Sequence, residues 1–205
     1  MATVKLTKNE LKKQKDDLKQ FERYLPTLQL KKQQLQMVIM KVASEVEQKE
    51  AEYKRMVNGL DDWIAVFSEN ISFNEELKIE NLVKPQRVIC KESNIAGIIV
   101  PVFEELTFAE VDYDVADYPL WVDEAIVRMR GISRLKVLLQ TLNKQMELLN
   151  RELRLTSQRV NLFEKVKIPE AKENIRRIEI YLGDLQTSAV VRGKIAKSKR
   201  QGAVV

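Results

Sequence analysis

Apolar residues recur at alternating steps of four and three in the stretch from Ile132 to Phe163, which is the spacing of a coiled-coil heptad seam. Arg, Lys, Gln, Glu and Asn occur between them, and residues 133–167 contain neither Gly nor Pro. The seam positions are Ile132, Leu135, Leu139, Leu142, Met146, Leu149, Leu153, Thr156, Val160 and Phe163. So narrow an apolar stripe would stay wet on an isolated helix, at about 25 cal/mol per Å² left unburied, so the pattern predicts a partner helix.

The N-terminal third carries a second heptad pattern and supplies that partner. One of its two seam positions is occupied by Leu11, Leu18, Leu25, Ile39, Val46, Tyr53 and Leu60, and the other by Phe21, Leu28, Leu35, Val42 and Met56. Gln14, Lys32 and Lys49 interrupt the seam, and polar seam residues restrict register. Thr7 followed by Glu10 predicts a capping box at the start of this helix, which we expect to reach about Ser68.

Two antiparallel helices placed by these seams have residue numbers across the seam that sum to roughly 192. Pro26, which predicts a bend or break of the first helix near Tyr24, would then face about residue 166, close to Pro169. We therefore expect contact between residues 24–28 and residues 166–170.

The middle of the chain is rich in Val and Ile and predicts a β-hairpin. Residues 82–92 and 95–111 flank a turn at residues 93–97, with residues 88–90 running up one strand and residues 98–100 running back along the other. Pro101 is expected at an edge position because it cannot donate to a ladder. The acidic residues that follow fit a solvated face better than a metal site, since their spacing matches no ion-binding loop. They are Glu104, Glu105, Glu110, Asp112, Asp114 and Asp117.

These patterns divide the chain into four parts and predict a mainly α fold. We expect an N-terminal coiled-coil helix over residues 1–68, a middle region with a hairpin and small helical elements over 69–118, a C-terminal coiled-coil helix over 119–190, and a basic flexible tail over 191–205. The N- and C-terminal helices form a long antiparallel two-helix coiled coil. Past Pro169, apolar residues from Ile175 to Leu185 resume a helical face, and no acidic residue follows Asp184.

Charge and composition narrow the possible functions. The net charge of +5 is uneven, because residues 61–118 hold 4 basic and 13 acidic side chains while both flanks are basic. The absence of His excludes imidazole-based catalysis and His-containing zinc sites. The single cysteine, Cys90, allows no internal disulfide and is expected to be a small core residue rather than a nucleophile. No apolar run approaches the length of a membrane span, so a cytoplasmic protein is expected.

Three segments resemble a known family in the order in which that family has them. The sequence TSQRVNLFEKVKIP at residues 156–169 is similar to the RRVNALE…IP signature of the D subunit of the rotary V-type and A-type ATPases. Residues 28–35 and 94–101 resemble that family's LLK-KRD-L segment and its N--GV-VP turn. The resemblance covers nearly the whole chain.

The resemblance implies a non-catalytic rotor subunit of the central stalk of an ATP synthase or ATPase. Such a protein passes torque between the catalytic ring of A and B subunits and the ion-translocating membrane ring, for which H⁺ or Na⁺ is the coupling ion. It also binds the F subunit and rests on the C subunit. The resemblance implies no cofactor, no metal and no nucleic acid, and it places the chain at the membrane only through the complex.

Basic residues of the C-terminal half that lie outside its seam positions are candidates for contacts with these partners. We call them the candidate contact residues: Arg151, Arg154, Arg159, Lys165, Lys172, Arg176 and Arg177. A solvated coiled-coil face would carry the same residue types. A coiled-coil chaperone or scaffold of the prefoldin type is an alternative for the whole chain. A nucleic-acid-binding coil is less well supported because the tail lacks aromatic residues to stack bases, and an enzyme least of all.

Overall fold

The computed structural model describes residues 4–60, 82–109, 119 and 121–202. Within these ranges the elements are α1 (Lys8–Asn58), β1 (Pro85–Ile95), β2 (Ile98–Phe108), α2 (Val122–Leu162), a π-helical turn (Phe163–Lys167) and α3 (Ile168–Gly202). Two long helical segments therefore flank an antiparallel hairpin, as the sequence predicts. The chain forms two compact units, one of Met1–Lys32 with Leu155–Val205 and one of Gln33–Arg154.

Helix α1 begins at the predicted capping residue and passes through Pro26 without a break. The Glu10 backbone N–H donates to Thr7 Oγ1 at 3.3 Å, which satisfies one of the free donors of the first turn. The predicted break is wrong, because Pro26 is exposed and the carbonyl that loses its partner, that of Glu22, lies on the same outer face where water can reach it. Helix α1 ends at Asn58 and is followed by a turn at Gly59 and Leu60, so the predicted helix does not continue through these two residues; the rest of its predicted extension, residues 61–68, lies outside the described part.

The predicted hairpin is present, and its tight turn sets its register. The turn consists of only Ala96 and Gly97, both with positive φ (53° and 81°), which is the backbone of a tight two-residue connection. The Asn94 side chain accepts a hydrogen bond from the Gly97 backbone N–H at 2.9 Å. Because the turn is this short, Val88 pairs with Leu106 and not with the segment 98–100, which instead pairs with 93–95.

The prediction that Cys90 is a core residue is wrong. Cys90 is exposed, and the register is irregular between Ile89 and Cys90. A two-stranded hairpin can bury only one face, and here that face is filled chiefly by Val100 and Leu106 of β2, which are 0% and 1% exposed. An apolar run in β1 could not reveal which strand supplies the core.

The core of the Gln33–Arg154 unit lies between α1 and α2 and extends to the tip of the hairpin. Its buried members are Leu35, Val42, Val46, Leu139, Leu142 and Leu149. Ile95, Ala96 and Ile98 from the hairpin tip pack against this cluster, so the hairpin lies along the helices. Gln145, buried on α2, donates from Nε2 to the Pro101 carbonyl at 2.6 Å and fastens β2 to the helix.

A second cluster lies where the hairpin meets the start of α2. Leu82 and Val83 pack there against Val122 and Ile126. Arg130 of α2 donates from Nη2 to the Leu82 carbonyl at 3.0 Å, and its guanidinium lies 5.1 Å from the centre of the Phe108 ring. Close helix contact continues nearby: a Cβ added at Gly131 would lie 3.0 Å from Met56 Cε, at the flexible end of that side chain.

In the other unit, α1 pairs antiparallel with the π turn and α3. The Phe21 and Phe163 rings are in contact, Lys15 forms an ion pair with Glu179 at 2.6 Å, and Lys172 forms one with Glu22 at 3.2 Å. The residue numbers of these pairs sum to 184, 194 and 194, close to the predicted 192. The Phe21 and Glu22 contacts place α1 just before Pro26 beside Phe163 and Lys172, which lie on either side of the predicted 166–170 segment.

Candidate partner-contact surface

All seven candidate contact residues are exposed. Arg151 and Arg154 lie on α2 in the Gln33–Arg154 unit. Arg159, at the end of α2, lies in the other unit, as do Lys165 in the π turn and Lys172, Arg176 and Arg177 on α3. Their role as contacts with other proteins stays a prediction.

Three of these residues bind acidic side chains of the same chain. Lys172 forms the ion pair with Glu22, and Arg176 and Arg177 both donate to the Glu173 carboxylate at 3.0–3.2 Å. Hydrogen bonds from Arg176 and then from Arg177 lower the pKa of Glu173 to about 2, and the bond to Glu173 in turn raises the pKa of Arg176. A partner would have to compete with these internal pairs for the same cations.

The other four, Arg151, Arg154, Arg159 and Lys165, form no ion pair with any residue that the structure describes. Arg151 acts only at longer range, where it helps to lower the pKa of Glu147 after the larger effects of the hydrogen bond and charge of Lys144. These four cations remain available for carboxylates of another protein, at the level of exposed ion pairs.

The π-helical turn was not predicted, although the sequence contains its signal. Continued at steps of four and three beyond Phe163, the seam would meet Lys167, Glu170 and Asn174, which are polar. A step of five, the length of a π-helical turn, instead brings the apolar series to the seam: Ile168, Ala171, Ile175, Ile178 and Leu182. Ala171 and Ile178 are 3% and 0% exposed, so the turn restores the apolar phase of the helix by absorbing one extra residue.

A solvent-open groove beside the π turn has mixed polar character. It encloses about 470 Å³ between α1 and α3, and its charged wall contains three cations and three carboxylates: Lys5, Lys13, Lys167, Glu10, Asp17 and Glu170. Gln14 interrupts the seam here, and its side-chain oxygen accepts a hydrogen bond from Asn174 at 3.4 Å. With balanced charge and little apolar lining, the groove does not have the character of a small-molecule site.

The described residues also bear on metal and membrane binding. Among them, no group of three or more His, Cys, Asp or Glu side chains is placed to hold a metal ion. Of the predicted acidic face, Glu104 and Glu105 are exposed on β2, and the remaining members lie outside the described part. No helix within the described ranges combines the length and apolar character that a membrane span requires.

Comparison with known proteins identifies the family. Residues 10–198 match the family model for the D subunit of ATP synthase. The chain is 50% identical over 198 residues to the V-type ATP synthase D subunit of Borreliella burgdorferi, covering 97% of this chain and 95% of that protein. It is 35% identical over 200 residues to the protein of the same name from Chlamydia caviae, covering 98% and 95%. The chain therefore belongs to the ATP synthase D-subunit family.

Proposed function

We propose that this chain is the central-stalk rotor shaft of a V/A-type ATP synthase or ATPase, transmitting torque between the catalytic A/B ring and the membrane ion-translocating ring. It has no catalytic role of its own in this proposal. Its partners are the A, B, F and C subunits, and it is cytoplasmic and peripheral to the membrane through the complex. The observation that carries the proposal is membership of the D-subunit family over residues 10–198.

The packing of the helices supports this role physically. A shaft must resist twisting, and a pair of helices with interdigitated side chains resists twisting better than one helix does. In one unit, α1 and α2 share a core that includes the fully buried Leu35 and Leu149. In the other, Phe21 contacts Phe163 and two ion pairs cross between α1 and α3. Truncating a buried core Leu costs about 2–5 kcal/mol in well-packed proteins, so these contacts hold the helices together.

A shaft must also turn within its bearing, which favours many weak contacts over a few strong ones. Exposed ion pairs contribute at most about 1 kcal/mol each and exchange readily. Arg151, Arg154, Arg159 and Lys165 suit such contacts, because no described carboxylate forms an ion pair with them.

Co-purification combined with charge reversal tests the proposal. The wild-type chain, co-expressed with the A, B, F and C subunits, should purify in one complex with a single copy of F per copy of this chain. Changing Arg151, Arg154, Arg159 and Lys165 to Glu should lower coupled ATPase activity several-fold while the complex still assembles. A matched control changes the exposed Lys12, Lys19, Lys41 and Lys54 to Glu, which gives the same change in charge.

The two variants separate the proposed contacts from a general effect of charge. Equal activity in both variants would leave the candidate contact residues as a merely solvated face. Failure of the wild-type chain to assemble with A and B would contradict the rotor proposal itself.

A further inference from the structure

Two neighbouring segments carry basic and apolar side chains but no acidic ones. Both belong to the unit formed by Met1–Lys32 and Leu155–Val205. Residues 23–32 of α1 include three basic residues and no acidic residue, and residues 155–163 of α2 and the π turn include one and none. The Phe21–Phe163 contact places these two segments beside each other in the antiparallel pair. We call residues 23–32 and 155–163 the basic–apolar band.

Outside the band, the same unit contains ion pairs that cross between its helices. Towards the start of α1, Lys15 pairs with Glu179 and Glu22 pairs with Lys172 across the two helices. Inside the band, Arg23 and Arg159 form no ion pair with any residue in the described ranges. The band thus holds positive charge that its own residues do not neutralise.

Several large apolar side chains of the band are exposed to solvent. Tyr24 is 57% exposed, Leu30 55%, Leu162 45% and Leu155 39%. Leu155 and Leu162 are seven residues apart, so they share one face of the helix, and Arg159 lies between them on that face. Single exposed leucines are ordinary, but Tyr and Arg are enriched in protein interfaces, and Asp and Glu, which the band lacks, are depleted from them.

We propose that the basic–apolar band is a docking surface for an acidic segment of a partner protein. Carboxylates of that segment face Lys32 and Arg159, and its apolar side chains cover Tyr24, Leu155 and Leu162. Charge complementarity selects an acidic partner. The aliphatic residues select a protein over a nucleic acid, since leucine does not bind phosphate. Of the band's aromatic residues, Tyr24 is exposed, while Phe163 packs against Phe21, so the band offers little surface for stacking bases.

The inference rests on the proposed rotor function for its setting, and photo-cross-linking in the assembled complex tests it. Benzoylphenylalanine is introduced at Tyr24 in one preparation and at Leu162 in another, the purified complex is irradiated, and the linked peptides are identified by mass spectrometry. Both positions should link to the same partner segment, in which Asp and Glu outnumber Lys and Arg. Adding Lys32→Glu and Arg159→Glu should lower the yield about fivefold or more.

The matched control adds Lys12→Glu and Lys19→Glu, which have the same charge change and lie on α1 outside the band; it should keep the yield within about twofold. Linked segments without acidic excess, links to nucleic acid or lipid, or no link at all would overturn the inference. If the complex assembles and couples ATP turnover to ion translocation, such results reject the band as a docking surface and leave the proposed rotor function intact. If the chain purifies without A and B, the rotor function fails, and cross-linking to whichever protein does co-purify decides the band by the same criteria.

Discussion

The Phe21 ring packs against the Phe163 ring with centroids 5.3 Å apart and the ring planes tilted by 34°. Phe163 is the last residue of the uninterrupted heptad series and the first of the π-helical turn. The contact therefore holds α1 against the start of the π-helical turn, where the apolar seam changes phase.

Truncation of either ring should weaken the unit that contains both. Phe21→Ala and Phe163→Ala should each lower the free energy of unfolding by about 1–3 kcal/mol, since both rings are half-buried. The double variant should show a coupling energy of about 0.5–1.5 kcal/mol between the rings. Denaturant unfolding measures both quantities. Leu162→Ala, beside Phe163 but exposed, should change the free energy by less than about 0.5 kcal/mol.

Deletion of Lys165 tests the π-helical turn as an extra residue in the seam. Without it, Ile168 follows Phe163 after four residues, the turn becomes α-helical, and every apolar residue beyond it keeps its place. We expect a loss of less than about 2 kcal/mol, or a melting temperature lowered by less than about 8 °C.

The control for this deletion removes Asn150, which is exposed on α2 within the regular heptads. That change rotates Leu153, Thr156, Val160 and Phe163 out of the seam and should lower the melting temperature by well over about 10 °C. Circular dichroism measures the melting temperatures. Equal decreases for the two deletions would show that the π turn does not set the phase of the apolar seam.

The hydrogen bond from Gln145 to the Pro101 carbonyl should hold β2 on α2. Gln145→Ala removes the donor and leaves a carbonyl without its partner, at a cost of about 1–3 kcal/mol. Hydrogen exchange measured by mass spectrometry should be faster in β1 and β2 and unchanged in α3. Gln140→Ala, at an exposed position of the same helix, should leave hairpin exchange as in the wild type; faster exchange in both variants would argue against a specific bond.

The carboxylate of Glu173 should contribute to stability above its usual pKa and lose that contribution in acid. Its pKa is lowered from 4.5 to about 2 by the hydrogen bonds from Arg176 and Arg177, so the contribution is complete above about pH 4.5 and disappears as the pH falls towards 2. The effect is small because the group is exposed. The difference in melting temperature between wild type and Glu173→Gln should shrink over this window, and about 1 M salt should reduce it at pH 7. A difference that is constant from pH 7 to pH 2 would contradict this assignment.

Periodic patterns predicted the helices and the antiparallel register well, because apolar residues at heptad spacing lie on one face of a helix and are buried against its partner. Leu35, Leu142 and Leu149 are seam residues in the sequence and core residues in the structure. Pro26 and Cys90 were misjudged for a different reason. The outcome at each depends on which face meets water, and tertiary packing decides that. The π turn could have been found from the shift between Phe163 and Ile168, had the phase been followed past the lysines.

The candidate contact residues show the same limit for function. The sequence located exposed cations, but only the structure distinguishes Arg176 and Arg177, which bind Glu173, from Arg159, which has no ion pair with a described residue. Exposed apolar residues such as Leu162 escaped notice because a heptad pattern directs attention to the seam alone.

Rotation of the chain inside the assembled complex tests the rotor proposal most directly. Cys90 is the single cysteine of the sequence and is exposed, so it offers one attachment point for a gold particle on a complex whose other subunits lack cysteine. With the A/B ring fixed to a surface and ATP supplied, the particle should turn stepwise in one direction, at a rate that follows ATP concentration. A particle that only fluctuates about one angle while the same complexes hydrolyse ATP would contradict a rotating shaft.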